Sequence, residues 1–179
     1  ALRQVNSAED IIIKVITDTD EVGYGNAPPT AVITGDSQDS VVAAIRDTIG
    51  PKIIGMDVDH LEEIMTTIDS AMLHNHSAKA AVDIAIYDLF GKQYQIPLYK
   101  LFGGYRSELT TDLTISLNQP DEMVRDSQEA VAQGYTDLKL KVGNDPELDI
   151  KRVKAIRDAV GDGVAAARVG PAGVALFIA

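Results

Sequence analysis

Apolar residues crowd the run from Asp10 to Thr17, where Ile11, Ile12, Ile13, Val15 and Ile16 are all β-branched. Asp18-Thr19-Asp20 then supplies turn chemistry, so this run reads as a strand. Val22-Gly23-Tyr24-Gly25 reads as the returning strand of a hairpin. The stretch from Asn26 to Asp39 holds Pro28, Pro29 and Gly35 and reads as a loop. Three helical patterns follow. Ser40 to Ile49 places apolar side chains at Val41, Ala44 and Ile45. Asp59 to Leu73 places them at Leu61, Ile64, Met65, Ile68 and Met72. In the third, Ala78, Ala81, Val82, Ala85, Ile86, Leu89 and Phe90 recur at three and four residues and form one face. Ser77 is expected to cap it. Pro97 and the Gly103-Gly104 pair close the region, so residues 1–104 are expected to form a small α+β domain.

The pattern then changes. Asp112 to Leu117 reads as a strand, followed by a helix from Pro120 to a stop at Gly134. Thr136 to Val142 is the next strand. Asp145-Pro146 opens another helix, with Ile150, Val153, Ile156 and Val160 expected to face inward and Gly161 to end it. Val164 to Val169 reads as a third strand. Alternating strands and helices predict a parallel sheet over residues 105–179.

Composition narrows the function classes. The 179 residues are 45% apolar, enough for a buried core. The formal net charge is −11, with 27 acidic against 16 basic residues. No Lys/Arg cluster offers a phosphate footprint, so no nucleic-acid partner is expected, and an anionic membrane surface is equally disfavoured. There are no cysteines, which excludes disulfides and thiolate metal sites. No apolar run reaches spanning length, and a soluble cytoplasmic protein is the expectation. His60, His74 and His76 do not space as a zinc site.

The chemistry points to one strand. In Leu138-Lys139-Leu140-Lys141-Val142 the side chains alternate between faces. Leu138, Leu140 and Val142 share one face, and Lys139 and Lys141 share the other. A parallel strand is normally apolar on both faces, and unpaired buried ammonium groups cost several kcal/mol, roughly. Two readings remain: an edge strand with both lysines in water, or a barrel strand aiming both lysines into a site at its C-terminal mouth. Asp112, Thr114 and Ser116 share one parity in the preceding strand, so a hydroxyl at Thr114 would meet the same cavity.

These segments occur in a recognisable order. Arg3, Gly25-Asn26-Ala27-Pro28-Pro29, Ile33-Thr34-Gly35-Asp36, Ser77-Ala78-Lys79-Ala80-Ala81, Pro97-Leu98-Tyr99, Leu101-Phe102-Gly103-Gly104, Thr111-Asp112-Leu113-Thr114 and Leu138-Lys139-Leu140-Lys141-Val142-Gly143 follow one another along the chain. Together they resemble the muconate-lactonizing subgroup of the enolase superfamily, and most closely its L-Ala-D/L-Glu-type dipeptide epimerases. The resemblance runs from the start of the chain to about Ile156. It implies an α+β capping domain (residues 1–104, its first strand missing before Ala1) followed by an incomplete TIM-type (β/α) barrel. Residues 105–179 would supply the first two to three barrel strands.

The resemblance also implies roles. Lys141 is expected to be one of two lysine acid/bases flanking the substrate α-carbon, Lys139 to help hold the substrate carboxylate, and Thr114 to line the cavity. Arg3 is expected to meet the acidic side chain of a dipeptide such as Ala-Glu. The implied reaction is a 1,1-proton transfer through an enolate, with Mg²⁺ in the complete enzyme.

Three departures stand out. Asn26 replaces the usual Glu, and the opening strand is missing. At the end of the third strand, Gly170 and Ala172 stand where the family's first metal-binding Asp and the following Asn are expected, so the chain is expected to lack metal ligands and to be inactive alone. Three explanations stay open: the chain is a piece of a longer protein, a second chain completes the barrel, or the tail sequence is misassigned; a homo-oligomer is the other partner expected. A muconate cycloisomerase, an o-succinylbenzoate synthase or an N-acylamino acid racemase shares the lysine strand. A non-catalytic remnant that binds a partner through its cap is the alternative of another class.

Overall fold

The computed structural model describes residues 7–169 and the strand 175–178, with side chains described over residues 7–166. The chain divides into two compact units, with the break between Tyr105 and Arg106. Each is described by itself.

The first unit opens with an antiparallel hairpin, β1 (Ile11–Ile16) and β2 (Val22–Ala27), in which Ile13 stands opposite Gly25 and Val15 opposite Gly23. Helix α1 (Gln38–Ala43) begins two residues earlier than its apolar pattern suggests. Ser37 and Ser40 cap each other's backbone in a reciprocal box, which satisfies two otherwise orphaned N–H groups. The helix does not stop at Ile49. It continues through a π-helical turn, Ala44–Ile49, into the short α2 (Gly50–Ile53). Gly50 N–H reaches back five residues to the Ile45 carbonyl, and this wider turn leaves room for the ring of Pro51. Helix α3 (Leu61–Ser70) and the long α4 (His76–Gln93) follow, and then the short α5 (Leu98–Leu101).

Ser77 does not cap α4. The cap position is Asn75, in the left-handed region at φ 52°. Ser77 lies inside the first turn and donates to the Asp36 carboxylate at 2.7 Å. An ionised acceptor takes the hydroxyl and ties the preceding loop to the helix.

The apolar face of α4 is as expected: Ala78, Ala81, Val82, Ala85, Ile86 and Leu89 are all buried. It packs on β2 at a separation that only glycine permits. A Cβ on Gly23 would fall on the Ala85 carbonyl oxygen, and one on Gly25 on that of Ala81. Polar groups stitch the same contact. Asp88 accepts from the Tyr24 N–H at 2.8 Å, and Lys92 Nζ donates to the Val22 carbonyl at 2.9 Å and to Asp88 at 2.5 Å. Partial burial opposes ionisation of Asp88, but Lys92 and the Tyr24 N–H outweigh it and hold the carboxyl below its ordinary range.

The second unit is a β-α-β-α-β run. Its elements are β3 (Leu113–Ile115), α6 (Pro120–Ala132), β4 (Asp137–Lys141), α7 (Pro146–Val160) and β5 (Ala165–Val169). The three strands are parallel and lie in sequence order. Ile115, Leu138, Leu140 and Ala166 from the sheet, with Val164 just ahead of β5, meet Met123 and Ala130 of α6 and Ile156 of α7 in one core. Gly161 ends α7 at φ 77°, and Arg157 closes the turn into β5 by donating to the Gly161 and Val164 carbonyls.

In the second unit two findings differ from the sequence reading. Ile150 is 68% exposed, and Arg152 is buried in its stead at 6%. At about 100° per residue, Asp149, Arg152, Val153, Ile156 and Val160 cluster on one side of α7, with Ile150 at its margin. The second difference is β6 (Ala175–Ile178), which pairs antiparallel with β5. A (β/α) barrel continues with a helix after its third strand, so the parallel, barrel-like part of this sheet comprises β3, β4 and β5. Arg3, Gly170 and Ala172 lie outside the described residues.

The contact between β2 and α4 makes a testable demand. Gly25→Ala is expected to lower stability by about 1–3 kcal/mol, because backbone atoms of Ala81 and Ala85 in α4 already occupy the space of the new methyl. Gly163→Ala, which meets nothing within 4 Å, is expected to stay within about 0.5 kcal/mol of the parent. Denaturant unfolding of both variants checks this, and equal midpoints would refute the packing account.

Candidate active site

Strand β4 sets the geometry. Leu138 and Leu140 are each 1% exposed and point into the core beneath α6 and α7. Alternation therefore sends Lys139 and Lys141 to the opposite face of the sheet. Among the described residues, none of the buried residues of this core lies on that face. Lys139 is half-buried and Lys141, the last residue of the strand, is exposed. β4 is not an edge strand, since it is hydrogen-bonded on both sides, to β3 and to β5; the exposure of Lys141 is that of a strand end.

Register brings in the third residue. Thr114 of β3 pairs with Lys139 of β4, so the hydroxyl and the first ammonium stand side by side on one face. Ala167 of β5 takes the next place in that row, and Val169 stands beside Lys141. Asp112 and Ser116 lie just outside β3 and are exposed. The arrangement is a strip of polar side chains on a sheet whose other face is apolar core. It presents a hydroxyl and two amines, the second at the C-terminal end where parallel α/β sheets bind ligands.

The loop that follows β4 is short and fixed at both ends. Asp145 caps α7, accepting from the N–H groups of Glu147 and Leu148 at 3.1 Å each. Gly143, at φ 121°, donates its N–H to Asp149 Oδ2 at 2.6 Å. Asp149 Oδ1 takes Arg152 at 2.8 Å, and Arg152 Nε donates to the Asn118 carbonyl in the loop after β3 at 2.6 Å. Sequence reasoning missed this pair. The signal was available in the three-residue spacing of Asp149 and Arg152 within the stripe that holds Ile156.

In the first unit, the loop after β2 holds a helical turn at Thr30–Thr34, with Thr34 N–H bonded to the Thr30 carbonyl at 2.8 Å. Val32 and Ile33 at its tip are 79% and 74% exposed. Ser77 anchors the far end of the loop through Asp36.

Among the described residues no three His, Asp or Glu side chains converge to hold a metal ion. Those residues do not fit a Mg²⁺ site. No helix of the described residues is long and apolar enough to cross a membrane.

Comparison with known proteins identifies the family. Residues 1–103 match the mandelate racemase/muconate lactonizing enzyme N-terminal domain. The chain belongs to that family. Residues 122–173 match the enolase C-terminal domain-like family, so the parallel unit is the barrel-like part of this superfamily's fold. A curated relative, the L-Ala-D/L-Glu epimerase of Clostridium acetobutylicum, is 53% identical over 161 residues. The match covers 90% of this chain and 45% of that protein, so the chain spans about half the length of the relative. The substrate-liganded L-Ala-D/L-Glu epimerase of Bacillus subtilis superposes with a TM-score of 0.88 at 44% identity, covering 93% of this chain and 46% of that one. A dipeptide epimerase of Enterococcus faecalis, solved with Mg and L-Leu-L-Tyr, gives 0.84 at 40% identity, with 90% and 46% covered.

The two faces of β4 predict opposite mutational costs. Leu140→Ala is expected to destabilise the second unit by about 2–5 kcal/mol. Lys141→Ala is expected to change stability by less than about 0.5 kcal/mol. Thermal unfolding of the two variants reads the difference, and a large loss at Lys141 would make it structural.

Proposed function

We propose that this chain is part of a dipeptide epimerase that moves a proton on and off the α-carbon of an Ala-Glu-type dipeptide. The observation that carries the reading is the strip of Thr114, Lys139 and Lys141 on the face of a parallel sheet opposite its core. Relatives of more than 40% identity that bear the epimerase name support it.

Lys141 is the proton-transferring group in this reading. A lysine removes a proton only as the neutral amine and returns one as ammonium, so one side chain serves both directions on its own side of the substrate. Lys139 precedes it by two residues on the same face and holds the substrate carboxylate as a charged ammonium. That contact places the α-carbon along the strand from Lys139, within reach of Lys141. Thr114, beside Lys139 in register, lines the same end and offers one hydroxyl. Arg3 is proposed to receive the acidic side chain of the dipeptide. The complete protein is proposed to use Mg²⁺, which the Enterococcus faecalis structure contains, with ligands outside the described residues. The second acid/base lysine would likewise lie outside them.

Two measurements on the complete protein test the reading. With L-Ala-L-Glu and Mg²⁺ in D₂O, α-proton exchange is expected at a rate ordinary for enzymes, about 1–10³ per second. Lys141→Ala should slow epimerisation by about 10²–10⁴-fold. A wild-type protein that turns over muconate and exchanges no dipeptide proton would overturn the proposal. Separately, Arg3→Ala should cost about 1.5–3 kcal/mol in kcat/KM for Ala-Glu, the worth of a charge-assisted hydrogen bond, and far less for an apolar dipeptide. Equal losses on both substrates would remove Arg3 from the specificity site.

A further inference from the structure

We propose that Asp149 and Arg152 are positioning residues that hold the end of β4, and with it Lys141, in place for proton transfer. The inference rests on the reading of Lys141 as the acid/base. Lys141 is the last residue of the strand, so its backbone is fixed from one side only by the sheet. Two residues on, the chain bends at Gly143, whose φ of 121° lies in the region that favours glycine. The Gly143 N–H is taken by Asp149 Oδ2 at 2.6 Å, which fixes the path of the chain as it leaves the strand. The other oxygen of Asp149 is held by Arg152 at 2.8 Å. Arg152 in turn donates through Nε to the Asn118 carbonyl at 2.6 Å. One ion pair therefore ties together the loops that follow β3 and β4, the strands that bring Thr114, Lys139 and Lys141 to one face.

Stability does not require such a pair. The Arg152 side chain is 7% exposed and that of Asp149 14%. Ions withdrawn from water this far pay a desolvation penalty that their mutual attraction seldom exceeds, and an apolar pair of similar volume is often neutral or better. What apolar side chains cannot do is accept from the bent Gly143 amide and donate to the Asn118 carbonyl at once. The pair supplies direction: two charge-assisted hydrogen bonds to backbone at fixed points. Displacement of a reacting group by about 1 Å can cost 10²-fold in rate, so a loose strand end would be felt at Lys141 first.

The test uses the complete protein with Mg²⁺ and both L-Ala-L-Glu and L-Ala-D-Glu in D₂O, with Asp149→Asn, Arg152→Met and Arg152→Lys. In a two-base reaction each base takes the α-proton of one epimer. Displacing Lys141 should therefore slow solvent exchange from one epimer by about 10²-fold and spare it from the other, the same one-sided pattern that Lys141→Ala would show more completely. Epimerisation kcat should fall by about 10²-fold in Asp149→Asn and Arg152→Met, with KM changed by less than about threefold. Arg152→Lys, which keeps the charge but not the fork, should fall between those variants and the parent. Exchange lost equally from both epimers, or a rise in KM at unchanged kcat, would overturn the positioning role and leave the epimerase reading standing. A parent protein that exchanges neither epimer would overturn both. Hydrogen exchange at the Gly143 amide reads the pin without any activity: it should be protected in the parent and fast in Asp149→Ala, which, unlike the asparagine variant, leaves no side-chain acceptor for it. Protection that survives this substitution, or that the parent lacks, would also overturn the role.

Discussion

A β-strand must send successive side chains to opposite faces, and in β4 this constraint builds the core and the candidate site from the same five residues. Leu138 and Leu140 fill the space beneath α6 and α7, and their burial leaves Lys139 and Lys141 no choice of side. A slip of one residue would bury both ammonium groups beneath two helices and expose both leucines. The register is therefore defended by the full cost of desolvating two charges. Thr114 is carried along by the same logic, because Leu113 and Ile115 pair with Leu138 and Leu140 on either side of it. The functional strip is in this sense a by-product of how firmly the apolar face is specified.

The capping unit is organised by a different device. Gly23 and Gly25 let the backbone of α4 approach β2 until carbonyl oxygens occupy the space a methyl group would need. Small residues on both partners, glycines on the strand and Ala81 and Ala85 on the helix, make this approach self-consistent. The polar groups around it then fall into reach: Asp88 spans to the Tyr24 amide and Lys92 to the Val22 carbonyl. A closely packed helix also fixes its own N-terminus, from which Ser77 holds Asp36 at the end of the exposed loop.

Where sequence and structure part, the physical causes are specific. Helix α1 runs past Ile49 because a π turn accommodates Pro51, an option that a three-and-four periodicity does not display. Ser77 has the right chemistry for a cap, yet a carboxylate forty-one positions earlier claims its hydroxyl. Ile150 reads as core by hydropathy, but Asp149 and Arg152 occupy the inward arc once each finds the other. In each case a single residue's preference is outweighed by a partner distant in sequence or by the geometry of a whole turn. Strand β6 lies in a short apolar run, Ala175-Leu176-Phe177-Ile178, too short for periodicity alone to declare a strand.

By itself the sequence determined the elements whose signal is local. These are the β1–β2 hairpin from its β-branched run, α4 from its unbroken apolar stripe, and the alternating faces of β4 from five consecutive residues. It also carried the ordered motifs by which the family was legible, with Lys139 and Lys141 at its centre. Only the tertiary structure decided which face of β4 is core, because alternation divides a strand into two sets without saying where the helices pack. Only it placed Thr114 beside Lys139, because register depends on pairing across twenty-four intervening residues. The buried link from Gly143 through Asp149 and Arg152 to Asn118 likewise needed the fold. Its hydrogen bonds join loops that chain order keeps apart, and an ion pair survives burial only where such partners are already in place.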